Sequence, residues 1–400
     1  MYLSREEEDI LNGKFGEAAS SALRVIIKVG ESLGAERLIE ISHAHASGLS
    51  YMTIGDAGLT FLRSFAERGA RVRVFSTVNP IGMDVELWER LGISKDFAKK
   101  QMEIIDAILK MGFEPTFTCT PYLIRAPIKD EHLAWGESSA VAMANTYYGA
   151  RTNREGGPLA LMSAIAGRTY LAGLHLDENR VPTHEIVVDD ELPLDDPAFA
   201  GALGYVVGEK IRSGVALLRR AKMGFNSVKS YTAAAAASGD LALTYIEGIT
   251  PQFNWAVKKA DSPERVHIER KEVEELIALK GKVDVDAIFV GCPHADEDEV
   301  LALYRLISRC RKLKVPIWIS TSRITYAKLK EIGIVDKLEA LGAVIIRDTC
   351  PVVSPFVGEK FRSVAITSGK GFFYLPRMHG ARTIIIPFNR IGEVACEKRK

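Results

Sequence analysis

The chain has 400 residues, 47% hydrophobic and 26% charged, the proportions of a globular protein with room for two or three α/β domains. Its 52 Lys and Arg against 51 Asp and Glu leave a formal charge of +1 with both signs interspersed, which provides no basic face for nucleic acid or an anionic membrane. No apolar run reaches membrane-spanning length and no basic stretch followed by an apolar one opens the chain, so the expected location is the cytoplasm.

In chain order, Ser4 with Glu7 three residues on has the spacing of a capping box that opens a helix. ERLIEIS (36–42) predicts a strand, DAGLTFLRSFAERGA a helix, RVRVFSTVNP a strand, KDFAKKQMEIIDAILKMG a helix and FEPTFTCTP (113–121) a strand. The middle is richer in Gly, Ala and Ser. Helices are predicted at 138–148, 157–168 and 198–213, and YTAAAAASGDLAL reads as a helix at a close-packed interface. From residue 269 the alternation is regular. Helix ERKEVEELIALKG, strand VDAIFVG, a helix over 296–313 capped by Asp296 and Glu299, strand VPIWISTSR, helix ITYAKLKEIGIVDKLEALG and strands AVIIRDTC and ARTIIIPF follow one another. Strands alternating with helices predict parallel βαβ units in a three-layer α/β/α arrangement. The expected division is an N-terminal and central portion, 1–270, and a C-terminal domain, 271–400, without internal repeats or a disordered linker.

Five cysteines, an odd and sparse set, argue against a disulfide framework. Cys310 falls on the apolar face of its predicted helix with Val300, Leu303 and Ile307, a core position, and Cys396 falls in the C-terminal segment. Cys119, Cys292 and Cys350 share another pattern. Each stands one or two residues before a proline, at the end of a predicted strand. Ligands of open parallel sheets bind outside the carboxyl ends of the strands. The three thiols are therefore expected in one crevice, with the polar runs SHAHASG (42–48), STVNP (76–80) and STSR (320–323). Zinc prefers locally paired cysteines, and His294 as a fourth ligand would be an arbitrary choice. A cubane cluster held by three thiolates keeps one iron open as a Lewis acid for a carboxylate and a departing hydroxyl, as dehydration of a β-hydroxy acid requires. The alternative for each cysteine is a small buried hydrophobe.

Residues 134–158, AWGESSAVAMANTYYGARTNREGGP, set Glu137, Ser138, Ser139, Asn145, Arg151, Asn153, Arg154 and Glu155 among glycines. The serines suit a helix cap facing an anion, and arginine suits bidentate recognition of carboxylate or phosphate. TSGKGFFYLP (367–376) is a candidate anion nest with Lys370 as counter-charge. His43 and His45, two apart after a strand, share a face, and either one of them orients substrate or acts as an acid or they are structural, while His132, His184 and His267 stand in polar surface stretches. Phosphate-loop, dinucleotide, zinc-protease and nucleophile-elbow motifs are absent from the sequence.

SHAHASGLSY, TVNPIGMD, CTPYL, residues 134–158, EGITPQ, GCPH and DTCPV, in that order over essentially the whole chain, resemble the large catalytic part of aconitase X. The resemblance implies an aconitase-like α/β fold of several α/β/α domains with mostly parallel sheets, and a 4Fe-4S cluster on Cys119, Cys292 and Cys350. It also implies a small swivelling domain that supplies a catalytic serine. Since the chain stops at Lys400, that domain is expected as a separate subunit. The implied activity is a hydro-lyase that dehydrates mevalonate 5-phosphate to trans-anhydromevalonate 5-phosphate in isoprenoid biosynthesis, or else cis-3-hydroxy-L-proline. On this reading Ser47, Asn79, Ser138, Arg151, Asn153, Arg323, Ser368 and Lys370 contact carboxylate and phosphate, and Glu137 and His45 handle the proton for the leaving hydroxyl. The competing classes are a zinc-dependent lyase or isomerase on the same fold and a non-catalytic metal- or redox-sensing protein.

Overall fold

The computed structural model describes residues 1–189 and 191–397. Ser4 caps the Arg5–Leu11 helix: its hydroxyl accepts the Glu7 N–H at 3.3 Å, and the Glu7 carboxylate accepts the Ser4 N–H at 2.7 Å. The first sheet has three parallel strands in the order Phe75–Val78, His43–Ala46, Leu133–Trp135. Beside it Leu38–Glu40 pairs antiparallel with Arg168–Tyr170. The expected strand at 36–42 is thus shortened, and the histidine run is itself the central strand rather than the polar segment after one. All four of its residues are buried, because the polar imidazoles find partners on the neighbouring strand.

The segment 113–121 is not a strand. It runs beside Phe75–Val78, with Glu114 N–H donating to the Ser76 carbonyl at 2.9 Å and Thr118 N–H to the Val78 carbonyl at 2.8 Å. The ladder breaks because Pro115 has no N–H, Phe117 sits at φ 38°, and the Thr116 hydroxyl, not a carbonyl, takes the Val78 N–H.

The second sheet is parallel, in the order Thr244–Ile246, Ala216–Leu218, His184–Val188, Glu264–Ile268. Its helices Pro197–Ile211 and Phe225–Ser238 touch almost backbone to backbone, since a Cβ on Gly204 would lie 2.2 Å from the Tyr231 carbonyl oxygen. The alanine-rich run is thus helical and closely packed as expected, but its helix ends at Ser238 and does not continue through residues 239–243.

The third sheet has five parallel strands in the order Val344–Arg347, Ile317–Thr321, Ala287–Val290, Ser363–Ile366, Arg382–Ile385. Chain order runs outward in one direction from Ala287–Val290 and then resumes on its other side at Ser363–Ile366, so the switch point lies between those two strands. Three helices are shorter or more broken than predicted. The first covers only Arg270–Glu274, the second ends at Ile307, and the third is split by Gly333 at φ 71° into Arg323–Glu331 and Ile334–Leu341. Cys310 lies beyond its helix. It forms a disulfide with Cys396, Cα to Cα 5.4 Å, where Leu313 and Cys396 bring two returning segments together. This corrects the expectation that Cys310 is a core thiol and that Cys396 lies apart from it in the C-terminal segment. Among the described residues no helix is long and apolar enough to cross a membrane.

Candidate functional site

The first and third sheets direct their carboxyl ends at one cavity of about 290 Å³. Ser47 and Asn79 follow two strands of the first sheet, and Glu137 and Ser138 the third. Cys292 follows Ala287–Val290, Cys350 follows Val344–Arg347, and Lys370 follows Ser363–Ile366. Cys119 enters from the irregular segment beside the first sheet, so all three free thiols line the same space. Cys292 and Lys370 form the two lips of the third sheet's switch point. A larger cavity of about 490 Å³ at the carboxyl end of the second sheet has no thiol in its lining.

The three cysteine loops are joined by one side chain. His294 is buried, two residues after Cys292; its N–H donates to the Cys119 sulfur at 3.2 Å. Its Nε2 is 3.1 Å from the Thr349 carbonyl oxygen and its Nδ1 3.1 Å from the Thr118 hydroxyl. Both ring nitrogens are used, so His294 is not free to serve as a metal ligand. Behind it, Lys229 of the Phe225–Ser238 helix pairs with Asp296 at 3.0 Å and with Glu299, and reaches the His294 carbonyl at 3.4 Å.

Burial pushes the Cys119 thiol up to about 12 and raises Cys292 and Cys350 as well, while Lys370 pulls the other way. Such thiols ionise only beside a strong positive centre, as a metal provides. Among the described residues no three His, Cys, Asp or Glu side chains converge as ligands of a single metal ion.

A polar chain runs from the cavity into the first sheet. Lys370 Nζ pairs with Glu137 Oε1 and donates to Ser139 Oγ at 3.1 Å. Asn79 Nδ2 donates to Glu137 Oε2 at 2.8 Å, so its oxygen accepts from His45 Nε2, 3.2 Å away. Burial holds His45 down to about 4, so it is neutral and its Nδ1 accepts from Thr77 at 2.8 Å. The Thr77 oxygen in turn accepts from His43 Nε2 at 2.8 Å, which leaves His43 Nδ1 as the end of the chain, a buried acceptor without a partner among the described residues. Burial would raise Glu137, but the adjacent Lys370 charge and hydrogen bonds from Lys370, Asn79 and Ser139 outweigh it and hold the carboxyl at about 2.

Ser47, Asn79, Glu137, Ser138 and Lys370 therefore line the cavity with the thiols. His45 does not reach it, because Asn79 stands between. Ser368 lies just behind: its hydroxyl donates to the Cys292 carbonyl and caps the Gly369–His379 helix through the Gly371 N–H at 3.1 Å. Three predicted contacts are placed elsewhere. Arg151 is held by Asp130 at 2.9 Å and Asp177 at 2.6 Å. Asn153 bonds the Ala172 carbonyl and the Leu174 N–H, and Arg323 pairs with Asp348 at 2.6 Å over the Phe117 ring.

Arg154, passed over in favour of Arg151, does line the cavity. The segment 151–154 runs parallel to Leu133–Trp135, with His132 opposite Arg151 and Trp135 opposite Arg154. Residues an odd number apart on an extended chain face opposite sides, so only one of the two arginines can look inward. That parity was readable, had the loop been recognised as extended.

Domain profiles of one family match in succession: aconitase X first domain over residues 1–178, second domain over 182–278 and third domain over 285–397. The phosphomevalonate dehydratase large subunit of Methanocaldococcus jannaschii is 40% identical, over 94% of this chain and 95% of that one. The cis-3-hydroxy-L-proline dehydratase of Pseudomonas aeruginosa is 32% identical, over 94% of this chain and 66% of that one. A crystal structure of Thermococcus kodakaraensis aconitase X in its holo-form superposes with a TM-score of 0.90 at 38% identity, covering 98% of this chain and 100% of that one. With the fold, the cavity and its thiols in place beside these matches, the chain belongs to the aconitase X family of dehydratases.

Proposed function

We propose that this chain is the large subunit of an iron–sulfur hydro-lyase that converts mevalonate 5-phosphate to trans-anhydromevalonate 5-phosphate. The observation that carries the substrate is the graded similarity: 40% identity over nearly the whole of a phosphomevalonate dehydratase large subunit, against 32% over two thirds of a hydroxyproline dehydratase. The former is a large subunit, which supports a separate small subunit as partner.

Cys119, Cys292 and Cys350 would hold a 4Fe-4S cluster, which when bound supplies a Lewis acid at the departing hydroxyl. The chain's own groups do the rest. Ser47, Asn79 and Ser138 orient the substrate carboxylate, which acidifies the adjacent C–H. A serine of the small subunit takes that α-proton as the C=C bond forms and the C–O bond breaks. The Lys370 ammonium, held in place by the Glu137 carboxylate, gives its proton to the leaving oxygen, which departs as water. Val352, Val353 and Met378 give the carbon skeleton an apolar wall. His45 fixes the Asn79 amide from behind rather than moving protons itself.

The test is anaerobic reconstitution of the chain with its small subunit, then assay with both substrates. Turnover of mevalonate 5-phosphate is expected. Turnover of cis-3-hydroxy-L-proline alone would transfer the assignment to the second substrate.

A further inference from the structure

A substrate with a carboxylate and a phosphate needs cationic partners. Of the groups lining the thiol cavity, two are cations, Lys370 and Arg154. Lys370 is buried and committed to Glu137. Arg154 is placed differently. Its backbone is fixed against the cavity wall: a Cβ on Gly157 would lie 2.1 Å from the Ser47 carbonyl oxygen, and Trp135 holds the Glu155 N–H at 3.3 Å. Its guanidinium is not fixed in the same way. Nη1 alone donates to the protein, to the Ala236 carbonyl at 3.1 Å and to Asp240 at 3.0 Å. Nε and Nη2 have no partner among the described residues. Asp240 is 67% exposed, so water and salt screen its hold.

Arg154 is also the residue common to two linings. It borders the thiol cavity and a neighbouring opening of about 530 Å³ shared with Asn153 and Asp240. It therefore stands at the cavity's margin, where the end of a substrate remote from the reacting carbons would lie. A planar fork with two free donor positions matches a phosphate better than a point charge does.

We propose that Arg154 recognises the phosphate of the substrate, its guanidinium turning from Asp240 to the phosphate oxygens, and so sets preference for a phosphorylated hydroxy acid. This inference rests on the function proposed above.

The test uses the reconstituted two-subunit enzyme. Arg154→Gln should raise KM for mevalonate 5-phosphate about thirtyfold and change kcat less than about threefold, the pattern of lost uniform binding. Arg154→Lys, which keeps the charge but not the fork, should fall between. Competitive inhibition by inorganic phosphate should weaken in parallel. Iron content equal to wild type checks that each variant is loaded; if Arg154→Gln is not, Arg154→Lys carries the comparison. Unchanged KM and unchanged phosphate inhibition in a loaded variant overturn this inference alone. If wild type does not turn over mevalonate 5-phosphate, the functional reading fails and this inference with it.

Discussion

The imidazole Nε2 of His294 lies 3.1 Å from the carbonyl oxygen of Thr349. A carbonyl only accepts, so the ring proton is on Nε2 and Nδ1 takes the Thr118 hydroxyl proton. Thr118 then accepts from the Thr120 N–H at 3.2 Å and the Thr120 hydroxyl at 2.9 Å, and every group in the chain is satisfied. One neutral ring thus aligns the loops of all three thiols.

His294→Ala should leave two buried polar groups without partners, at a cost of about 1–3 kcal/mol each. Iron per chain should fall well below wild type after reconstitution while the far-ultraviolet dichroism of the fold persists. His294→Gln, which can restore one bond, should recover part of the loading. Full iron content in the alanine variant would show that the clamp is not needed.

The Glu137–Lys370 pair predicts a signature in acid. The folded carboxyl, at about 2, lies below its ordinary 4.5, so its contribution is complete above about pH 4.5 and is lost as pH falls towards 2. Glu137→Gln should remove that part of the acid dependence, read from urea midpoints between pH ~3 and ~7. Lys370→Met leaves only the Asn79 and Ser139 hydrogen bonds against burial, and the carboxyl rises. That variant should lose about 3–5 kcal/mol near neutrality and regain part of it in mild acid.

Cys310 separates from the other cysteines by consequence as well as by place. Its disulfide to Cys396 spans 86 residues, so Cys310→Ser should lower stability by about 2–4 kcal/mol under non-reducing conditions. Iron content and turnover should be unchanged. Loss of iron in this variant would mean that the thiols have been sorted wrongly.

Arg151→Gln should behave unlike Arg154→Gln. Arg151 is largely covered but its partners Asp130 and Asp177 are open to solvent, so loss of the two ion pairs should cost about 1 kcal/mol in chemical denaturation. KM should stay at the wild-type value. An increase like that expected for Arg154 would place the anion site on the other side of this segment.

How much was legible beforehand depended on how much each feature relied on distant partners. The capping boxes at Ser4 and Asp296 are local, and both form as spaced. The cysteines before prolines stood out because a turn after a strand leaves a local mark. The His43–Ala46 strand was hidden because its polarity is answered by Thr77, more than thirty residues away. Ser363–Ile366, a central strand of the third sheet, was overlooked because its short apolar run is flanked by charged residues on one side and the Ser368 cap on the other. The choice between Arg151 and Arg154 turned on an extended conformation set by pairing with Leu133–Trp135, which no pattern within the loop itself announces.

The Lys229 tether gives the helices of the second sheet a part in shaping the thiol cavity that their own strands do not suggest. A fragment made of the outer thirds alone would contain every thiol and still lack the strut that seats Asp296 and Glu299 beneath His294. The chamber is therefore braced from a layer that supplies none of its sulfur, and excising that layer would take away the support beneath His294.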